Sequence, residues 1–295
     1  MSIYSMWGAF EIGLIFGLVA LGVLISFRIL NFPDLTVDGS FPLGGATAAV
    51  LIHNGMDPFL ATLMATFAAG VAGMITGWLN VSLKIMDLLA SILMMIALYS
   101  INLRVMDAPN IPLITDPTVF SVLQPDNIED YVARPLILLV LVIAVKFALD
   151  WFFSTQVGLA MRSTGSNPRM ARAQGIHTGR MILLGMAISN ALCGLAGALF
   201  AQSQGGADIS MGIGTIVIGL AAVIIGETIF PSRRLIVITL AVIIGAVLYR
   251  FFIALALNAD FIGLKAQDLN LVTAVLVTLA LVIPLAKQRL SKKRA

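Results

Sequence analysis

The sequence predicts an all-α polytopic membrane protein with about eight or nine transmembrane helices, one of them short or broken, arranged as an inverted repeat. Three observations predict it. Of 295 residues 59% are hydrophobic and 11% charged, and the mean hydropathy is +1.01, far outside the range of soluble domains. Apolar stretches of about twenty residues, the length that crosses about 30 Å of hydrocarbon, recur along the whole chain. The third observation is a polar Pro- and Gly-containing run, Asn31 to Ser40, directly after the first stretch. Residues 1–295 thus read as a single transmembrane domain.

The first span falls near residues 8–28. No basic region or small-residue cleavage site precedes it and Glu11 interrupts it, so it reads as an uncleaved span. The run Asn31-Phe32-Pro33-Asp34-Leu35-Thr36-Val37-Asp38-Gly39-Ser40 then feeds an apolar piece, Phe41 to Ile52, that is too short to cross straight. A short or broken helix is expected there, and irregular backbone at membrane depth survives where it lines a cavity. Further spans fall near 59–79, 87–105, 135–154, 180–203, 211–229, 234–257 and 269–286.

Between the 135–154 and 180–203 spans lies a basic segment containing Arg162, Arg169 and Arg172. Within it, residues 166–175 predict a helix of about two turns. Asn167 is a good N-cap, Pro168 suits the first helical position, and Gly175 takes the left-handed conformation that stops a helix. Arg169, Met170, Ala171, Arg172 and Ala173 form its body. Its apolar face is thin for membrane anchoring, so docking to a cytoplasmic protein is the expected role.

The positive-inside tendency puts this segment, the Arg233-Arg234 turn and the tail Lys287 to Arg294 on the cytoplasmic side. The formal charge of +3 and a pI near 9.2 are explained by this membrane flank and contact with lipid, with no role for nucleic acid. Counting back from the C-terminus places the 106–134 loop outside. The N-terminus is outside if Phe41 to Ile52 crosses and inside if it re-enters. Pro33 to Gly39, after the first span, resembles Ala207-Asp208-Ile209-Ser210-Met211-Gly212 after the 180–203 span, which favours an inverted repeat.

Asp34, Thr36, Asp38 and Ser40 in the break, with Asp208 and Ser210 in its echo, are candidates for the translocation path or its gate, because charge near hydrocarbon is expensive. As plain loop residues they would instead cap the following helices, the first of which is expected to begin near Phe41. Tyr99, Asn102, Asn190 and Gln202 either line the path or join helices by hydrogen bonds. Glu11, Lys146 and Glu227 lie near span ends, where snorkelling or local pairing accounts for them. The only cysteine, Cys193, is inside a span, and His53 and His177 are far apart, so no metal or disulfide framework is expected. Nor is there a nucleophile with a base at usable spacing, so an enzyme is not expected.

These segments, in order, resemble a permease subunit of the branched-chain amino-acid type within ABC importers. The resemblance is greatest to a subgroup of uncharacterised bacterial permeases that includes proposed tryptophan and tyrosine importers. It rests on Ala20-Leu21-Gly22-Val23, Asn31 to Gly44, Ala97 to Arg104, Gly158 to Arg162 through Gly175-Ile176, and Met211 to Leu220. The alanine and glycine spacing of Ala171, Ala173 and Gly175 matches the importer docking helix, with Arg169 and Met170 where an acid often stands. The resemblance implies two cytoplasmic ABC ATPases, a second permease subunit as a homodimer or, less favoured, a heterodimer with a similar subunit, an extracytoplasmic substrate-binding protein, and a place in the bacterial inner membrane with a cytoplasmic C-terminus. The chain contains no G-x-x-x-x-G-K-[ST] loop, so ATP and magnesium are expected on the partner and no cofactor on this chain. The rival expectation is an ion-gradient transporter using Asp34, Asp38 and Asp208 as coupling carboxylates.

Overall fold

The computed structural model describes residues 3–124, 129–232 and 234–257, with positions 275 and 278. The expected 269–286 span, the basic tail and Arg233 lie outside the described residues. Helix α1 (Ile3–Val23) continues through a π-helical stretch, Leu24–Ile29, and stops at Asn31, whose φ of 56° is left-handed. After an irregular passage come α2 (Val37–His53), α3 (Pro58–Leu83) and α4 (Asp87–Met106). A short strand β1 (Asn110–Pro112) and α5 (Val119–Leu123) lead to α6 (Asp130–Ser154). The basic segment holds α7 (Gln156–Ser166) and α8 (Pro168–Ala173). It is followed by α9 (Thr178–Gln204), β2 (Gly206–Asp208), α10 (Thr215–Ile229) and α11 (Leu235–Leu257).

Seven of these helical stretches are long and apolar enough to cross a membrane, and each coincides with a span expected from hydropathy. Caps set their ends. At α3, the Asp57 carboxylate accepts the N–H of Phe59 at 2.9 Å and of Leu60 at 3.2 Å, with Pro58 at the first position. The break and α2 differ from expectation in one respect. The helix begins at Val37, four residues earlier than expected, so Asp38 lies inside its first turn. Within the basic segment, α7 is a helix that composition did not predict.

Contacts at the two faces settle the direction of each crossing. On one face Tyr4 meets Tyr131 with ring centroids 4.8 Å apart, Ser203 donates to Glu11 at 2.6 Å, and His53 pairs with Asp116 at 3.1 Å. There β1 also pairs antiparallel with β2, Ile111 opposite Ala207. On the opposite face Arg28 pairs with Glu227 at 2.8 Å, and Gly165 of α7 lies against the carbonyl of Ile29. The start of α1 and the 106–134 loop therefore share one face, and the basic 155–179 segment occupies the other. The passage through residues 30–36 and α2 is a crossing, not a re-entrant loop.

The two halves interlock as an inverted repeat. Helix α1 packs against α10 and α11 of the second half, and α9 packs against α2 and α3 of the first, while α1 and α9 run in opposite directions. Both turns after the leading helices have the same local geometry, with Asp34 accepting the N–H of Thr36 at 2.9 Å and Asp208 that of Ser210 at 2.7 Å. Between α2 and α9 the backbones come so close that a Cβ on Gly44 would overlap the carbonyl of Gly194. In lipid such close approach replaces the hydrophobic drive for association.

Candidate functional site

The deepest polar cluster sits where the break meets the middle of α9. Asp34, Thr36, Ser40, Thr76 and Asn190 are all fully buried. One oxygen of Asp34 accepts the N–H of Thr36, and the other accepts from the amide of Asn190 at 2.8 Å. That amide also donates to the Met186 carbonyl at 3.1 Å, and its oxygen accepts from Ser40 at 2.7 Å. The Thr36 and Thr76 hydroxyls meet at 2.9 Å. Among the described residues no cation pairs with Asp34, and its burial is tolerable because each carboxyl oxygen meets a donor. The cluster locks the irregular passage to α3 and α9.

Asp38 performs a different task. Its carboxylate accepts the N–H of Ile216 at 2.8 Å and of Gly214 at 3.4 Å, so it caps α10 from the first turn of α2. The expected choice was between a cap for its own helix and a path residue. It caps the helix of the opposite half, because the early start of α2 turns Asp38 toward α10. Nearby, the amide of Asn102 donates to the Gly39 carbonyl at 3.2 Å, and its own oxygen is buried with no hydrogen-bond partner.

The other sequence candidates fall elsewhere. Tyr99 is 55% exposed on the outer side of α4 and stands apart from the cluster. Near the C-terminal end of α9, Gln202 donates to Thr62 at 2.9 Å and accepts the N–H of Val119 at 2.9 Å. Asp208 and Ser210 bond each other locally in an exposed turn. Lys146 and Asp150 form a pair at 2.5 Å, each 8% exposed, with Thr239 donating to Asp150 at 2.8 Å. Two residues of interest, Thr76 and Arg250, escaped sequence reading. Each was visible as a polar residue inside an apolar span.

On the basic face, α8 has the capping its sequence implies. The Asn167 side chain accepts the N–H of Met170 at 3.1 Å, Pro168 opens the helix, and Gly175 has φ 84°. Ala171 is buried, whereas Arg169, Met170, Arg172 and Ala173 are exposed. Behind it α7 abuts the π-helical end of α1, since a Cβ on Gly165 would overlap the Ile29 carbonyl. A capped, exposed helix thus connects through α7 to the end of α1, a few residues before Asp34.

The profile of the family described as branched-chain amino acid transport system / permease component matches residues 8–284. The chain belongs to that family. This permease is 40% identical over 264 residues to the tyrosine transport system permease protein of Clostridioides difficile, covering 90% of this chain and 86% of that one. It is 34% identical over 279 residues to an uncharacterized protein of Rickettsia prowazekii, covering 92% and 95%. A more distant relative, the ribose import permease protein RbsC of Escherichia coli K12, is 22% identical over 263 residues, covering 86% and 78%. No solved structure matches the permease significantly. It is therefore a multi-pass membrane subunit of an ABC transporter, and not itself an enzyme.

Proposed function

We propose that the permease is the membrane-spanning subunit of an ATP-driven importer for an amino acid, aromatic or branched-chain, delivered by a substrate-binding protein. Two copies pair as a homodimer with two cytoplasmic ATPases, which bind the ATP and magnesium. The observation that carries this reading is α8, a capped helix with five of its six residues exposed on the basic face, linked through α7 to the end of α1. Closure of the ATPase dimer pulls α8, α7 transmits the pull to the π-helical end of α1, and the Asp34–Asn190 lock opens the passage between α2 and α9. The name of the Clostridioides relative supports an aromatic substrate.

The test is co-purification of the tagged permease with its candidate ATPase, comparing wild type with Arg169→Glu plus Ala173→Glu. Wild type is expected to retain the ATPase, and the variant to lose it while still inserting in the membrane. If neither retains the ATPase, or if the variant retains it as well as wild type does, α8 is not the docking element and the reading built on it fails.

A further inference from the structure

Arg250 is a cation inside a membrane-spanning helix, seven residues before the end of α11. A Cβ added at Gly13 of α1 would stand 3.5 Å from the Cβ of Arg250, yet the guanidinium lies 5.3 Å from the Phe16 ring centroid. Phe16 is nearly a turn further along α1 than Gly13, away from the face that holds Tyr4 and Tyr131. An arginine that anchors at an interface reaches toward the headgroups. The ring that this one meets is only 4% exposed, so its guanidinium lies against the interior of the bundle. Its Nε is buried with no hydrogen-bond partner, and among the described residues no carboxylate pairs with it. A guanidinium so placed is a site prepared for an anion, because a planar fork of donors matches a carboxylate.

The surroundings specify more than charge. Phe16 stacks on Phe41 with centroids 5.8 Å apart at 14°, and Phe200 meets Phe16 at 6.1 Å and Phe41 at 5.5 Å. One turn along α9 from Phe200, Ser203 donates to Glu11 of α1. The junction of α1, α2 and α9 thus presents a carboxylate, then three aromatic rings, with the guanidinium of α11 against the Phe16 ring. Phe41 also follows Ser40 directly, so the junction adjoins the polar lock.

Resting on the amino-acid reading above, we propose that Arg250 binds the α-carboxylate of the amino acid in transit. The Phe16, Phe41 and Phe200 rings hold its side chain, and Glu11 receives its ammonium group. In the conformation described here the rings are packed on one another, and the guanidinium rests on Phe16 by a cation–π contact. Separation of α2 and α9 parts the rings and admits the substrate.

The experiment uses the permease assembled with its ATPase and binding protein. In wild type, phenylglyoxal labelling of Arg250, read by mass spectrometry, is expected to slow at least five-fold with L-tyrosine and not with tyramine, which lacks the carboxylate. In proteoliposomes, Arg250→Gln is expected to cut L-tyrosine uptake at least ten-fold, and Arg250→Lys to raise KM several-fold with kcat near wild type. Labelling indifferent to L-tyrosine in a complex that imports it overturns the proposal, as does Arg250→Gln importing with the wild-type KM. If Arg250→Gln does not assemble, the wild-type labelling decides. Protection by phosphatidylglycerol nanodiscs without amino acid assigns the guanidinium to lipid and also overturns it. A wild-type complex that imports neither tyrosine nor leucine removes the amino-acid reading itself, and this site with it.

Discussion

The carboxylate of Asp38 accepts the N–H of Ile216 at 2.8 Å across 178 positions of sequence. The first turn of α2 thereby supplies the cap for α10, so the first half of the repeat holds a helix end of the second. Removing that acceptor is expected to loosen α10 rather than α2. Asp38→Ala should cost about 1 kcal/mol, the usual penalty for deleting a cap, and Asp38→Asn less. Amide exchange at Ile216 should quicken about five-fold in the alanine variant, since ~1 kcal/mol corresponds to that factor; unchanged exchange there would show that the cap is idle.

The Asp34–Asn190 bond should behave differently, because both partners are fully buried. Asn190→Ala strands one oxygen of a carboxylate and the Ser40 hydroxyl, and is expected to cost about 3 kcal/mol or more. Adding Asp34→Asn to that variant should recover part of the loss, giving a non-additive cycle in thermal unfolding. Strict additivity would mean that the two side chains do not interact.

A third expectation concerns the α2–α9 seam. Gly44→Ala places a methyl group on the carbonyl oxygen of Gly194, which as backbone cannot move aside. Yield and melting temperature should both fall sharply. Gly8→Ala, at a position with nothing within 4 Å, serves as the control and should be neutral or slightly stabilising.

Lys146 and Asp150 should be more costly to break than to replace together. Lys146→Met leaves a carboxylate at 8% exposure with only Thr239 for company, a loss expected to be about 3–5 kcal/mol. The double variant Lys146→Met/Asp150→Leu should be markedly more stable than Lys146→Met alone in a detergent melt. The reverse order would point to a functional ion site.

Gly165→Ala tests transmission from the docking helix. The added methyl forces α7 away from Ile29 without touching the exposed face of α8. ATPase co-purification should survive while uptake is lost; intact uptake would rule out the α7 contact as the mechanical link.

Much of this molecule was legible from sequence because the bilayer imposes local rules. A stretch of about twenty apolar residues must be a helix wherever it packs, so the seven described spans fell where hydropathy put them. The caps of α8 depend on Asn167, Pro168 and Gly175 alone, each acting on backbone within a few residues. The break after α1 was likewise announced by its own proline, aspartates and glycine.

What lies beyond the reach of those rules is partnership across the fold. The sequence offered Asp34 and Asp38 as a like pair, and only packing separated a buried lock from a helix cap, by bringing Asn190 to one and the N-terminus of α10 to the other. Tyr99 and Asn102 share a helix, and their difference in exposure follows from which side of α4 meets α2. That α1 begins on the face opposite the basic segment was decided by Tyr4 with Tyr131 and Arg28 with Glu227, contacts between residues more than a hundred positions apart. A hydropathy profile records the cost of each residue in lipid. The partner that relieves that cost is chosen only when the helices are packed together.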